Sequence, residues 1–214
     1  MTPPIAVSGL VLATQEPGNL TGQTTSPPLR GSVVDWAVTL VVAGLVVFGV
    51  EYEVVQPFRV PTASMEPTLL CARPTQGCSA RLNDRVLVAK IVYRFRGPHR
   101  FEIAVFQAPA AARKRCSEGG TYLKRVIGLP GERVSEKNGF FYADGRKLAE
   151  PYLDLYSRDS LTAKWPRLTA KQYFVMGDNR IASCDSRTWG PVPRSSFIGP
   201  VVATYWPPTR WTVR

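Results

Sequence analysis

The pattern of apolar and polar positions changes character twice along the chain. Residues 1–32 are rich in Pro, Thr, Ser and Gly, almost uncharged and without a period, as expected of a disordered tail. The run I-A-V-S-G-L-V-L-A within them is too short to span a bilayer. Residues 33–50, V-V-D-W-A-V-T-L-V-V-A-G-L-V-V-F-G-V, are apolar except for Asp35 near one end. As a helix they would rise about 27 Å, enough for the hydrocarbon core. Trp36 and Tyr52 stand near the two ends, where interfacial aromatics sit. A cleaved leader would show a basic start, a shorter apolar core and a small-x-small site. Here the preceding tail is long and nearly neutral, and E-Y-E-V-V-Q-P-F follows. A retained transmembrane anchor over 33–50 is the expectation. Charges near its ends are too even to orient it.

From residue 51 the pattern becomes short β-like segments rich in Val, Ile, Phe and Tyr. These are F-R-V, R-V-L-V-A-K-I-V-Y, E-I-A-V-F, Y-L-K-R-V-I-G-L, R-V-S-E-K-N-G-F-F-Y, Q-Y-F-V-M and F-I-G-P-V-V-A-T-Y-W. The turn signals R-G-P, L-P-G, K-N-G, A-D-G and G-D-N separate them. Helical periodicity is weak outside the anchor. The pattern predicts an all-β domain over 51–214, an antiparallel and barrel-like sheet.

Charge sharpens the division. Residues 1–50 hold Arg30 against Glu16 and Asp35, while the whole chain carries +11, so 51–214 carry +12. Such a domain suits an anionic partner, nucleic acid or membrane surface, or simply a solvated basic face. Four cysteines, Cys71, Cys78, Cys116 and Cys184, form no C-x-x-C, and His99 is the single histidine. A structural zinc site is therefore not expected. The spacing of Cys71 and Cys78, with Pro74 and Gly77 between them, suits a small disulfide loop but equally two unrelated thiols.

Three stretches carry candidate chemistry. V-P-T-A-S-M-E-P-T-L, residues 60–69, holds Ser64 between Pro61 and Pro67 in a stiff, non-helical setting. A catalytic serine needs a base. His99 lies among arginines in R-G-P-H-R, a poor place for an oriented neutral imidazole, so a serine–histidine–aspartate triad is not expected. A lysine can serve where burial penalises its ammonium. Lys124, in Y-L-K-R-V-I-G-L-P-G-E-R, shares a strand face with Tyr122 and Val126. By periodicity alone it could equally be a packed stem with its ammonium in water. The third stretch, M-G-D-N-R-I-A-S-C-D-S-R-T-W-G-P-V-P, residues 176–193, is a polar loop of the kind that bonds internally and holds one shape.

Together, behind one apolar run, these stretches resemble the type I signal peptidases, membrane-anchored serine–lysine endopeptidases. P-F-R-V-P-T-A-S-M-E-P-T-L resembles the family's serine box, and R-L-N-D-R-V-L-V-A-K its following strand. K-R-V-I-G-L-P-G-E-R-V resembles the lysine box and G-D-N-R-I-A-S-C-D-S-R-T-W-G-P-V-P the late box. The tail and residues 140–170 fall outside the resemblance. The latter are expected to form a small β-rich insertion in the catalytic domain.

The resemblance implies Ser64 as nucleophile and Lys124 as general base. It implies the Ser64 N–H and the Thr62 hydroxyl as oxyanion donors, and Ser183 as a hydrogen-bond partner of the lysine amine. Asp185 and Arg187 match a bracing ion pair, and Asp178 and Arg180 the same supporting shell. Ile181 and Ala182 stand where many members carry polar residues. The substrate implied is a secretory precursor, added as an extended strand beside 58–62 and 121–123. Phe58, Val60, Tyr122 and Leu123 would line small pockets selecting a small-x-small motif. No cofactor, metal or nucleic acid is implied. The location implied is a cell membrane, crossed once, with the catalytic domain extracytoplasmic or on the lumenal side of an internal membrane. Phe58, Met65 and Leu69 are expected to form an apolar surface next to Ser64 that meets lipid. Two rivals remain: a soluble repressor-type autoprotease, which would carry a DNA-binding helical domain before its β domain, and a basic nucleic-acid-binding barrel, for which no aromatic-basic motif is present.

Overall fold

The computed structural model describes residues 33–116, 120–153 and 155–214, with the side chains of 50–53 left aside. The expected tail, 1–32, lies outside the described residues. The chain divides into two units, residues 1–41 and 42–214. A helix, α1, runs Val33–Glu53 and covers the apolar run. Among the described residues no helix is long and apolar enough to cross a membrane.

The rest is built on β-strands: β1 Val55–Arg59, β2 Arg85–Ala89, β3 Ile103–Gln107, β4 Thr121–Gly128, β5 Val134–Lys137 and β6 Phe140–Ala143. Then follow β7 Arg146–Lys147, β8 Ala163–Lys164, β9 Gln172–Met176, β10 Val192–Pro193, β11 Phe197–Trp206 and β12 Thr212–Val213. Every ladder between them is antiparallel. The large sheet has the order β1-β2-β11-β3-β4-β9-β10, with β12 beside β11. The small sheet has the order β7-β6-β5-β8 and so overlaps the stretch 140–170.

The hairpins of the small sheet follow from its turn residues. Asn138 and Gly139 both hold positive φ, 49° and 74°, as do Asp144 and Gly145 at 46° and 81°. Asn-Gly and Asp-Gly pairs suit the two-residue turn whose twist matches the strands it joins. In the large sheet β11 is the longest strand, and its register shifts against both neighbours, between Val201 and Ala203 on β2 and between Phe197 and Gly199 on β3. Such bulges bend and twist a sheet. Strands β1, β2, β11, β3 and β4 accordingly share one core, in which Val60, Val86, Val105 and Val201 pack with Leu123. Each fully buried aliphatic side chain there contributes about 1.5–3 kcal/mol. Aromatic residues build a second core: Phe106, Tyr122, Trp189 and Phe197.

Two expectations are corrected. The segment R-V-L-V-A-K-I-V-Y is a strand only to Ala89; the chain then turns, and Val92–Phe95 form the short helix α2. The turn buries Tyr93, which joins the aromatic core and donates to Glu102 at 3.0 Å. A short apolar run does not by itself distinguish strand from helix. Met65 and Leu69 are no lipid-facing surface: they are 1% and 0% exposed, inside the β1–β4 core. The remaining helices are α3 Ala110–Cys116 and α4 Ser186–Trp189.

Candidate active site

Ser64 owes its position to an abrupt end of β1. Val60 still donates to the Asp84 carbonyl at 3.0 Å, prolonging the pairing of β1. Pro61 has no N–H to continue it. Thr62 stays extended, and Ala63–Met65 close one tight helical turn. Glu66 N–H donates to the Ala63 carbonyl at 3.0 Å, and Asn179 N–H to the Ser64 carbonyl at 3.1 Å. Ser64 is 8% exposed.

Lys124 comes from the middle of β4, opposite Ala104 of β3, and is 2% exposed. Its Nζ lies 2.5 Å from Ser64 Oγ and 5.7 Å from the centre of the Tyr122 ring. Thr62 Oγ1 is 3.2 Å from Ser64 Oγ. These groups border a cleft of about 320 Å³ lined by Phe58, Val60, Thr62, Tyr122 and Leu123, among others. Along β4, residues 125–128 pair with β9, whereas 121–124 have only β3 beside them among the described strands. The cleft thus has β1, an edge strand, on one side and an unpaired strand end on the other.

The polar loop after β9 packs behind the pair. Gly177 sits so close that a Cβ there would strike both Ser183 Oγ and the Ser64 carbonyl oxygen. Ser183 Oγ is buried and makes no hydrogen bond among the described residues. Asp185 caps α4: Oδ1 accepts from Arg187 N–H at 3.2 Å, and Oδ2 from Gly177 N–H at 3.1 Å. The Arg187 guanidinium donates to Asp185 through Nε and Nη2, both at 2.8 Å, and to the carbonyls of Arg180 and Ser183 at 2.7 and 3.3 Å. A further Arg187 nitrogen meets Asp159. Burial works against the Arg187 charge, but hydrogen bonding to Asp185 and the charges of Asp185, Asp159 and Glu136 outweigh it and raise its pKa above the ordinary value. Asp178, fully buried, accepts from Arg125 Nε and Nη2 at 2.8 and 2.5 Å. Arg180 instead pairs with Glu150, which also takes Arg158 at 2.9 Å. Removing one member of such a buried pair costs about 3–5 kcal/mol.

Several of these groups escaped sequence reasoning. Asp159, Glu150 and Glu136 lie in or beside the stretch outside the resemblance, and no local pattern marks them as partners of distant arginines. Glu136 is 2% exposed and faces Asp159. Burial first, then the Asp159 carboxyl, push its pKa up to about 8, against the pull of Arg187 and Arg180. All four cysteines are paired, Cys71 with Cys78 and Cys116 with Cys184. The second bridge joins α3 to the loop between Ser183 and Asp185, across 68 residues. No spacing rule reaches that far.

Comparison with known proteins sets the chain among the peptidases. The family described as signal peptidase, peptidase S26, matches residues 33–206. A probable signal peptidase I-2 of Synechocystis sp. is 35% identical over 188 residues, covering 86% of this chain and 78% of its own. A signal peptidase I of Leptolyngbya laminosa is 32% identical, over 87% and 86% of the two chains. The crystal structure of a signal peptidase I from Enterococcus faecalis V583 is 31% identical, over 50% of this chain and 97% of its own, with a TM-score of 0.41. The chain therefore belongs to the signal peptidase family, peptidase S26, and is a signal peptidase I enzyme, a serine peptidase that removes signal peptides.

Proposed function

We propose that Ser64 and Lys124 form the catalytic dyad, and that the enzyme cuts secretory precursors after small-x-small motifs. The observation that carries this reading is the 2.5 Å approach of Lys124 Nζ to Ser64 Oγ, both nearly buried at the head of the cleft. The precursor lies extended in the cleft and adds a strand between β1 and the unpaired end of β4. Phe58, Val60, Tyr122 and Leu123 narrow the cleft, so the residues before the scissile bond must be small.

Neutral Lys124 takes the proton of Ser64 as Oγ attacks the scissile carbonyl carbon. The resulting oxyanion is held by the Ser64 N–H and the Thr62 hydroxyl, donors of a kind worth about 3 kcal/mol each. Protonated Lys124 then gives its proton to the departing amine, the new N-terminus of the mature protein. Water, activated by the again neutral Lys124, hydrolyses the ester and frees the signal peptide. Asp185 and Arg187 hold the loop that carries Ser183 behind the dyad. Because Lys124 acts only in its neutral form, activity falls toward acid pH.

We further infer that α1 attaches the enzyme to a membrane, with the catalytic domain on the extracytoplasmic or lumenal side. In support, its described apolar side chains are exposed along the helix, among them Trp36, Leu40, Leu45 and Phe48 at 66–68%. Continuous exposure of large apolar groups suits lipid better than water. The test of the whole reading is cleavage of a secretory precursor by the purified full-length enzyme, wild type beside Ser64→Ala, with the new N-terminus determined by mass spectrometry. Wild type should cut once, after a small-x-small motif, and the variant not at all. Cutting elsewhere, or by the variant, overturns it.

A further inference from the structure

We propose that the Cys71–Cys78 disulfide positions the nucleophile: it braces the turn carrying Ser64 from behind, so that turnover depends on the oxidised pair. The inference rests on the reading of Ser64 given above.

Cys71 and Cys78 are 0% and 8% exposed and form a separate small cluster with Ala63, which is 5% exposed. Ala63 is the residue immediately before Ser64 and opens its turn. Gly77, beside Cys78, holds φ at +78°, and a Cβ there would stand 3.2 Å from Ala63 Cβ. The disulfide loop, at the residue next to its bridge, is therefore pressed against the start of the nucleophile's turn. The same loop also grips the rear. Glu66, just past the turn, is 9% exposed, and its Oε1 accepts from Cys71 N–H at 3.2 Å and Ser79 N–H at 3.1 Å. Those two amides flank the bridge on either side. A contact at Ala63 and a paired acceptor at Glu66 thus hold both ends of the four-residue stretch that carries Ser64.

The stem of the loop is held by other means. Ala80 N–H donates to the Cys71 carbonyl at 3.2 Å and Arg73 N–H to that of Ala80 at 3.1 Å. Below them, Leu70 and Asp84 exchange two bonds, both at 2.9 Å. Opening the disulfide therefore releases the Gly77–Cys78 end near Ala63 while the sheet and the stem persist. The step is a thiol–disulfide exchange: a dithiol gives two electrons and two protons, the S–S bond becomes two thiols, and the dithiol ends as its own disulfide. The reacting geometry is what suffers. A displacement of about 1 Å at a reacting atom costs on the order of 100-fold in rate, so a fraction of that is expected to cost about 10-fold. A chain made in a reducing compartment would be slow until it is oxidised.

The test follows cleavage of a small-x-small peptide by the full-length enzyme before and after incubation with excess dithiol, with opened bridges counted by thiol titration. The reduced wild type should lose about 10-fold in kcat with KM within about twofold, because the cleft walls stay in place. Reoxidation should restore it. Cys71→Ala/Cys78→Ala should show the same kcat loss without reductant. Ala63→Gly removes the methyl on which the loop leans and leaves the bridge intact. It should reproduce the loss and add little to the cysteine variant, since residues acting through one contact are not additive. Unchanged kcat in wild type with both bridges open overturns the proposal, as does an equal loss on reducing the cysteine variant, which assigns the effect to Cys116–Cys184. Should the cysteine variant not fold, reduced wild type and Ala63→Gly decide. If oxidised wild type cuts no such peptide, it is the assignment of function that fails and not the brace.

Discussion

The two groups proposed to react are mounted in different ways. Lys124 stands in a regular ladder near the middle of the large sheet, with β3 paired beside it and Arg125, its neighbour, tied to buried Asp178. Ser64 stands on a single turn outside any strand, held by Ala63, by Glu66 and by the backbone of Asn179. The difference follows from what each must do. A base that works as a neutral amine needs removal from water, which an interior strand supplies through its neighbours. A nucleophile must reach into a cleft, where a strand would seal it, so a turn presents it and other groups must supply the rigidity. The base side is therefore expected to tolerate loss of a neighbour better than the nucleophile side.

The largest effect should come from the reacting groups themselves. Ser64→Ala and Lys124→Ala should each abolish cleavage with the melting transition retained, and the double variant should be no slower than either. Groups that act as one unit are strongly non-additive. Appreciable turnover by either single variant would mean that the two mounts do not serve one reaction.

Next comes Thr62, on the nucleophile side only. Thr62→Val keeps the shape and removes the hydroxyl 3.2 Å from Ser64 Oγ. The turnover number should fall ~100-fold with substrate binding little changed, the mark of a donor used in the transition state. A fall below about threefold would leave Thr62 a packing residue.

The smallest effect concerns stability in the small sheet, where Glu136 of β5 faces Asp159 near Arg187. An ordinary glutamate titrates near 4.5, and Glu136 in the folded chain near about 8. Between these values the unfolded chain gains by ionising and the folded chain does not. The stabilisation from the neutral carboxyl is complete below the lower value and is lost as pH rises through the upper one. Glu136→Gln has no such loss. Its melting temperature relative to wild type should rise from pH 5 to pH 8, by roughly 2–4 °C for each kcal/mol, and level off above. A difference independent of pH would show that burial does not hold the Glu136 carboxyl neutral in the folded enzyme.

Much of the framework was legible because local rules govern it. Asn138-Gly139 and Asp144-Gly145 announce hairpins, since few residues accept positive φ in succession. The alternation around Lys124 predicted its face, because strand geometry has period two. Tyr122 and Val126 do join the aromatic core on that side. Lys90–Tyr93 misled for the complementary reason: an apolar run of that length satisfies a strand or a helix, and only the packing of Tyr93 decides. Met65 and Leu69 also looked like surface until the sheet closed over them.

By itself the sequence marked the longer strands, the turns of the small sheet, and which residues had the chemistry proposed to react, because these depend on neighbours within a few positions. Tertiary structure alone decided that Lys124 Nζ meets Ser64 Oγ across 60 positions, that Arg187 serves Asp159 as well as Asp185, and that Cys116 bridges to Cys184. It also decided that Asp178 takes Arg125 while Arg180 turns to Glu150. Those choices are settled by which charges are buried together. Burial depends on how the whole sheet curls, and no stretch of the chain encodes that alone.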